Sequence, residues 1–125
     1  MKTINGLLII TIITLTLLMT TYLAAQNNLM QYTTHGTSME PLIHEGDRVT
    51  CTPQDNYEVN DIVAYKNEWI TNEEYPLTLH RIKSKDNETG LMIIKGDNNR
   101  IVDIGLHEEN SIICKLTMIN NRQIS

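Results

Sequence analysis

Residues 7–25, LLIITIITLTLLMTTYLAA, constrain this chain more than any other stretch. They carry no charge and lie inside a charge-free interval between Lys2 and Glu40. As an α-helix, this run rises about 28 Å, close to the roughly 30 Å hydrocarbon core of a bilayer. Its threonines can return their hydroxyls to helix carbonyls, so they do not oppose insertion. The run predicts a transmembrane anchor. A cleavable signal peptide competes with that reading, because MK is a basic start and LAA a small-residue end. However, an h-region is usually about 7–15 residues long, and Leu23 is bulky where cleavage wants a small side chain. A retained anchor is therefore the expectation. Lys2 and the amino terminus precede the run, and Arg48 is the next basic residue. The positive-inside rule then gives a short cytoplasmic segment (1–6), the anchor (7–25) and an extracytoplasmic domain (26–125).

Lys2 is the one charged residue of the first 25, so residues 26–125 hold 9 Lys+Arg against 15 Asp+Glu, a net charge of −6. An acidic domain is poorly matched to phosphate backbones, which excludes nucleic acid as a favoured partner. Beyond the anchor, short runs alternate with period two and are separated by turn residues. The expected strands are 47–52, 59–65, 77–84, 91–95 and 111–119, with turns at PQDN, NEE, KDNETG and GDNN. The segment QNNLMQYTT (26–34) reads as a short polar connection, and NEWITNEEYP (67–76) as a flexible loop. The fold class is mostly β: a small twisted sheet or partly open barrel behind one N-terminal helix. Cys51 and Cys114 both sit among alternating apolar residues and are expected as two buried thiols; a disulfide is the alternative in an oxidising compartment. Asn87-Glu88-Thr89 is a glycosylation triplet in an expected turn, a weak signal.

Chemistry concentrates in three places. In HGTSMEPLIHEGD (35–47), Gly36 permits unusual backbone angles before Ser38 and Pro41 fixes φ after it. A serine in such a bend projects outward with its own N–H on the same side, the geometry of a nucleophile with an oxyanion site. By composition alone the same residues are ordinary turn formers. His80 lies within an expected strand, on the face shared with Thr78 and Ile82, where a rigidly held imidazole can take a hydroxyl proton near neutral pH. KGDNN (95–99) and the following Asp103 supply carboxylates able to orient that imidazole. His35, His44 and His107 fall in loops and receive no role. No spacing of Cys and His predicts a metal, and no cofactor is expected.

The order and wording of these motifs resemble the type I signal peptidase family, membrane-bound serine endopeptidases that remove signal peptides. The resemblance runs from about Gly36 to Asp103, through GTSMEPLIHEGDRV, VNDIVAY, LHRIKS and KGDNN, with the anchor just before it. In the bacterial branch the residue before the arginine of the third motif is a lysine. Here it is His80, as in the archaeal and endoplasmic-reticulum branch, which SMEP also suits. The resemblance implies Ser38 as nucleophile and His80 as general base. Asp97 and Asp103 match the two family aspartates, and the resemblance does not say which of them faces His80. It also implies preprotein signal peptides as substrates, a lipid membrane and accessory subunits as partners, and a plasma-membrane or endoplasmic-reticulum location.

Two positions depart from the family pattern. Many members have serine where this chain has Gly36, which leaves the Ser38 N–H and Thr37 as oxyanion donors. Many have Gly-Asp where this chain has Asn60-Asp61, and asparagine tolerates positive φ well enough for the turn to survive. The chain has no room for the large extra domain of some bacterial relatives, so a minimal catalytic core is expected. The alternative reading is an inactive, membrane-tethered homologue that binds signal peptides or supports a complex. Self-cleaving repressor peptidases of related fold use a Ser-Lys pair and usually a DNA-binding segment, which the anchor and His80 argue against.

Overall fold

A computed structural model describes residues 2–67, 69 and 74–124. The apolar run lies within a helix, α1 (Lys2–Asn27), of which Asn5–Ala25 is long and apolar enough to cross a membrane. Thr11, Thr14, Thr16, Thr20 and Thr21 each donate a hydroxyl to a carbonyl three or four residues earlier, so the polar groups of the run are satisfied within the helix. Most of the apolar side chains of this segment are open to solvent rather than packed on the domain. That suits lipid better than water.

The rest is an antiparallel sheet. Its strands are β1 (Met30–Thr33), β2 (Arg48–Thr52), β3 (Ile62–Lys66), β4 (Leu77–Lys85), β5 (Met92–Lys95), β6 (Ile112–Ile119) and β7 (Arg122–Gln123). They are ordered β1-β2-β6-β3-β4-β5, with β7 also pairing β6. The expected mostly-β class is what the chain forms. Five strands lie close to where alternation put them. The expected strand 59–65 starts later, because residues 59–61 form a turn with Asn60 at φ 77°. Asparagine pays little for that angle, so the turn closes without glycine. Its ends are fastened by Asn60 N–H to Ile82 O and Ile82 N–H to Asp61 O, both 2.9 Å.

Two strands were not anticipated. The segment expected as a polar connection supplies β1, which pairs residue by residue with β2 from Met30↔Cys51 to Thr33↔Arg48. Its side chains are mostly exposed, so the partner's ladder rather than an apolar face makes it a strand. β7 follows a two-residue turn, Asn120-Asn121, in which both residues have positive φ. That is the conformation hairpin turns of matching twist require. Of the loop expected at 67–76, residues 68 and 70–73 lie outside the described residues. Asn87 and Thr89 fall in the β4–β5 turn, where Asp86 accepts hydrogen bonds from the Thr89 N–H and hydroxyl.

The cysteines require a correction. Cys51 and Cys114 are joined in a disulfide, not held as separate thiols. Each points inward on its strand as expected, but the pairing depends on β6 lying beside β2, which local alternation does not encode. Their Cα atoms are 5.5 Å apart and 63 residues apart in sequence. Closing a loop of that length removes unfolded-state entropy worth up to about 4 kcal/mol. The double variant Cys51→Ala/Cys114→Ala should therefore be less stable than the oxidised wild type by about 2–4 kcal/mol in urea unfolding, and reduction of the wild type should have the same effect.

Candidate active site

Ser38 sits in the loop between β1 and β2, and the residues on either side of it explain its fixed position. Gly36 has φ 82°, which turns the chain into the loop. One residue past Ser38, Met39 is buried, and Ile43 follows one turn later; both pack on Val49, Ile62 and Leu116. Ile43 N–H bonds Met39 O at 3.1 Å, so the segment is a single helical turn pinned by its apolar side. Burying a side chain such as Met39 contributes about 1.5–3 kcal/mol, about the cost of ordering one or two residues beside it. From the other side, the Asn98 N–H donates to Ser38 O at 2.8 Å and Asn98 Nδ2 donates to Thr37 O at 3.1 Å. Thus KGDNN clamps the serine loop.

His80 comes from β4, opposite Val63 of β3, and is 8% exposed. Its Nε2 is 2.9 Å from Ser38 Oγ, and its Nδ1 is 2.6 Å from Asp103 Oδ2. With the proton on Nδ1 donated to Asp103, Nε2 is free to accept the Ser38 hydroxyl. Asp103 follows β5, and its N–H donates to Ile94 O at 2.8 Å, tying the acid to the end of a rigid strand. Asp103 Oδ2 also accepts the Tyr65 hydroxyl at 2.5 Å. Burial alone would raise the Asp103 pKa. The hydrogen bonds from His80 and Tyr65 outweigh burial and hold it below the ordinary carboxylate value. A carboxylate is therefore present against the imidazole at neutral pH.

The second family aspartate is placed elsewhere. Asp97 receives Arg81 Nε at 2.9 Å and Nη2 at 2.8 Å. This two-pronged contact lowers the Asp97 pKa, with partial burial opposing it. Arg81 Nη1 also donates to Asn60 O at 3.0 Å, so the pair fastens the Asn60-Asp61 turn to the KGDNN loop. Among the proposed oxyanion donors, Ser38 is half-buried and Thr37 exposed. Among the described residues, the Ser38 N–H and the Thr37 hydroxyl have no protein partner.

Three residues of this constellation escaped the sequence reading. Gly96 was seen only as a turn residue. A Cβ there would lie 2.7 Å from Asn99 Nδ2, 2.8 Å from Ser38 O and 3.0 Å from His80 Nε2, so glycine is what lets the loop, serine and imidazole come together. Asn98 was likewise part of a turn. Tyr65 ended the expected strand 59–65 and received no role; its hydroxyl, at a position the structure buries wholly, needs a partner. His107, assigned no role, is buried with its ring edge-on to Tyr65 at 4.7 Å. Burial lowers its pKa, against an opposing pull from Asp103, so it is neutral at pH 7. Of the other histidines, His35 packs on Tyr75 and His44 lies by Asp47.

A cleft of about 630 Å³ opens beside Ser38 and His80. Its floor includes Met39, Ile43, Val49, Ala64 and Leu79, and Tyr32 and Thr33 of β1 form part of its wall. β1 and β4 stand four places apart in the sheet, so their meeting at one cleft means the sheet curls, as a partly open barrel does. Among the described residues, no cluster of three or more His, Cys, Asp or Glu side chains could hold a metal ion.

The arrangement can deprotonate a serine next to an apolar cleft, which is the chemistry of acyl transfer. Comparison with known proteins agrees at the level of family. A profile described as Peptidase S24-like matches residues 10–117. The signal peptidase complex catalytic subunit SEC11C of Homo sapiens is 37% identical over 76 residues, covering 58% of this chain and 38% of the relative. The SEC11C proteins of Canis lupus familiaris and Mus musculus match to the same extent. The matched region thus spans well under half the length of these relatives. No solved structure matches. The likeness to SEC11C supports the type I signal peptidase family, and the chain belongs to the Peptidase S24-like family.

Proposed function

We propose that this chain is a serine endopeptidase that removes signal peptides from preproteins at a membrane surface. The observation that carries the reading is the line Ser38 Oγ, His80, Asp103, with successive contacts of 2.9 and 2.6 Å beside an apolar cleft. His80 Nε2 takes the Ser38 proton as Oγ attacks the scissile carbonyl. The acyl-enzyme forms, and His80 gives that proton to the leaving amine before activating water. Asp103 holds the Nδ1–H tautomer and stabilises the imidazolium. The Ser38 N–H, helped by Thr37, faces the developing oxyanion.

Substrate choice follows from the cleft. Its apolar floor suits small uncharged side chains at P1 and P3, and the free edge of β1 can take an extended peptide as an added strand. With α1 in the bilayer and only a few residues between Asn27 and β1, the serine works close to substrates held in the same membrane. The domain then lies on the extracytoplasmic or lumenal side, and accessory subunits act with it, as the name of the SEC11C relatives indicates for those proteins.

The test is cleavage of a preprotein by the full chain in reconstituted membranes, with the product's new N-terminus sequenced. Cleavage after a small P1 residue is expected, with kcat/KM rising as pH increases from 5 to 8 because the base must be unprotonated. A flat profile over that range would remove His80 as the base. An intact preprotein under all conditions would leave the inactive, signal-peptide-binding homologue as the better reading.

A further inference from the structure

Asp103 uses a single oxygen twice. Oδ2 accepts the His80 Nδ1–H at 2.6 Å and the Tyr65 hydroxyl at 2.5 Å. Tyr65 is wholly buried on β3, two residues along from Val63, the residue opposite His80. That offset puts the phenol diagonally across from the imidazole on the same face of the sheet. Its ring is wedged edge-on against His107, so the hydroxyl is aimed by packing as well as by the strand. An apolar ring would fill this place in the core equally well. The hydroxyl meets the Asp103 carboxylate, with the Asn67 side chain as a second polar neighbour.

We propose, resting on the peptidase reading above, that Tyr65 is a positioning residue: its hydroxyl holds Asp103 Oδ2 on the His80 ring and sets how strongly that oxygen draws a proton onto the imidazole. A carboxylate oxygen that shares its negative charge with a phenol O–H binds imidazolium less tightly than one that does not. The phenol therefore weakens that oxygen's pull on the Nδ1–H, while fixing the carboxylate's orientation. Three titratable groups face Asp103: His80 from β4, Tyr65 from β3 and His107 from the segment after Asp103. Burial keeps His107 neutral, so it leaves the bond between Tyr65 and Asp103 as the variable part of this field. The proton on Tyr65 is secure, since burial and the neighbouring carboxylate both raise its pKa.

Tyr65→Phe keeps the ring and removes the hydroxyl, with its donation to Asp103 and its contact with Asn67. In the full chain in membranes, it should shift the acid limb of kcat/KM upward by about half to one pH unit. It should also lower kcat about three- to tenfold with KM unchanged. The His80 ring proton, titrated by NMR without substrate, should move by the same amount. Placing 3-fluorotyrosine at position 65 strengthens the donor and should move both readings downward, and this arm decides the question if the phenylalanine variant fails to fold. A merely structural tyrosine would change thermal stability and leave both readings in place, and that result would overturn the proposal. The NMR arm stands even if wild type cleaves nothing, an outcome that would count against the peptidase reading instead.

Discussion

Ser38→Ala and His80→Ala should each lower kcat/KM for preprotein cleavage by about four to six orders of magnitude. The double variant should be scarcely worse than either single one, because nucleophile and base act as one unit separated by 2.9 Å. Thermal unfolding separates this from a folding defect. Ser38 is half-buried, and removing its hydroxyl leaves Met39 and Ile43 anchoring the loop, so the alanine variant should melt within a few degrees of wild type. His80 is buried, and its replacement leaves Asp103 without one of its partners, so His80→Ala should also lose some stability. Normal cleavage by both variants would overturn the catalytic reading.

The second large effect separates the two aspartates. Asp103→Asn keeps the shape of the side chain but no longer stabilises an imidazolium and favours the wrong tautomer of His80; kcat should fall by about 10⁴-fold. Asp97→Asn touches Arg81 rather than His80, so it should leave kcat within about tenfold and act on stability, by about 1 kcal/mol for a partly exposed pair. The acid side of the stability curve reports on both. Each carboxylate has a folded pKa below its ordinary value near 3.8. The unfolded chain therefore binds protons first as pH falls. The stability these groups contribute is complete above about pH 5 and drains away below about pH 4 as the pH descends through the folded values. Either asparagine variant should flatten that acid loss, measured as urea unfolding at successive pH values. Equal kcat losses in the two variants would refute the division of roles.

Much of the fold was legible because period-two alternation is a local signal. The runs RVTCT, LTLHRIKSK and IICKLTMI announce strands whatever they pair with, and all three become strands within a residue or two of expectation. β1 was not legible, since MQYT buries almost nothing and becomes a strand only when β2 offers its hydrogen bonds. Tyr65 was hidden for the opposite reason: inside a buried strand, a tyrosine and a phenylalanine look alike until the hydroxyl has something to meet.

What the sequence determined by itself was therefore the set of chemical groups and the local shapes that carry them. It contained the apolar helix, the Gly36-Ser38-Pro41 bend, the strand histidine and two candidate acids. Only the tertiary structure decided which groups meet. It put β6 between β2 and β3, which closed Cys51 onto Cys114 across 63 residues. It also sent Asp97 to Arg81 and Asp103 to His80. Those choices rest on contacts between residues far apart in the chain. Their free energy comes from burial and hydrogen bonding that exist only once the sheet has formed, and no short window of sequence contains them.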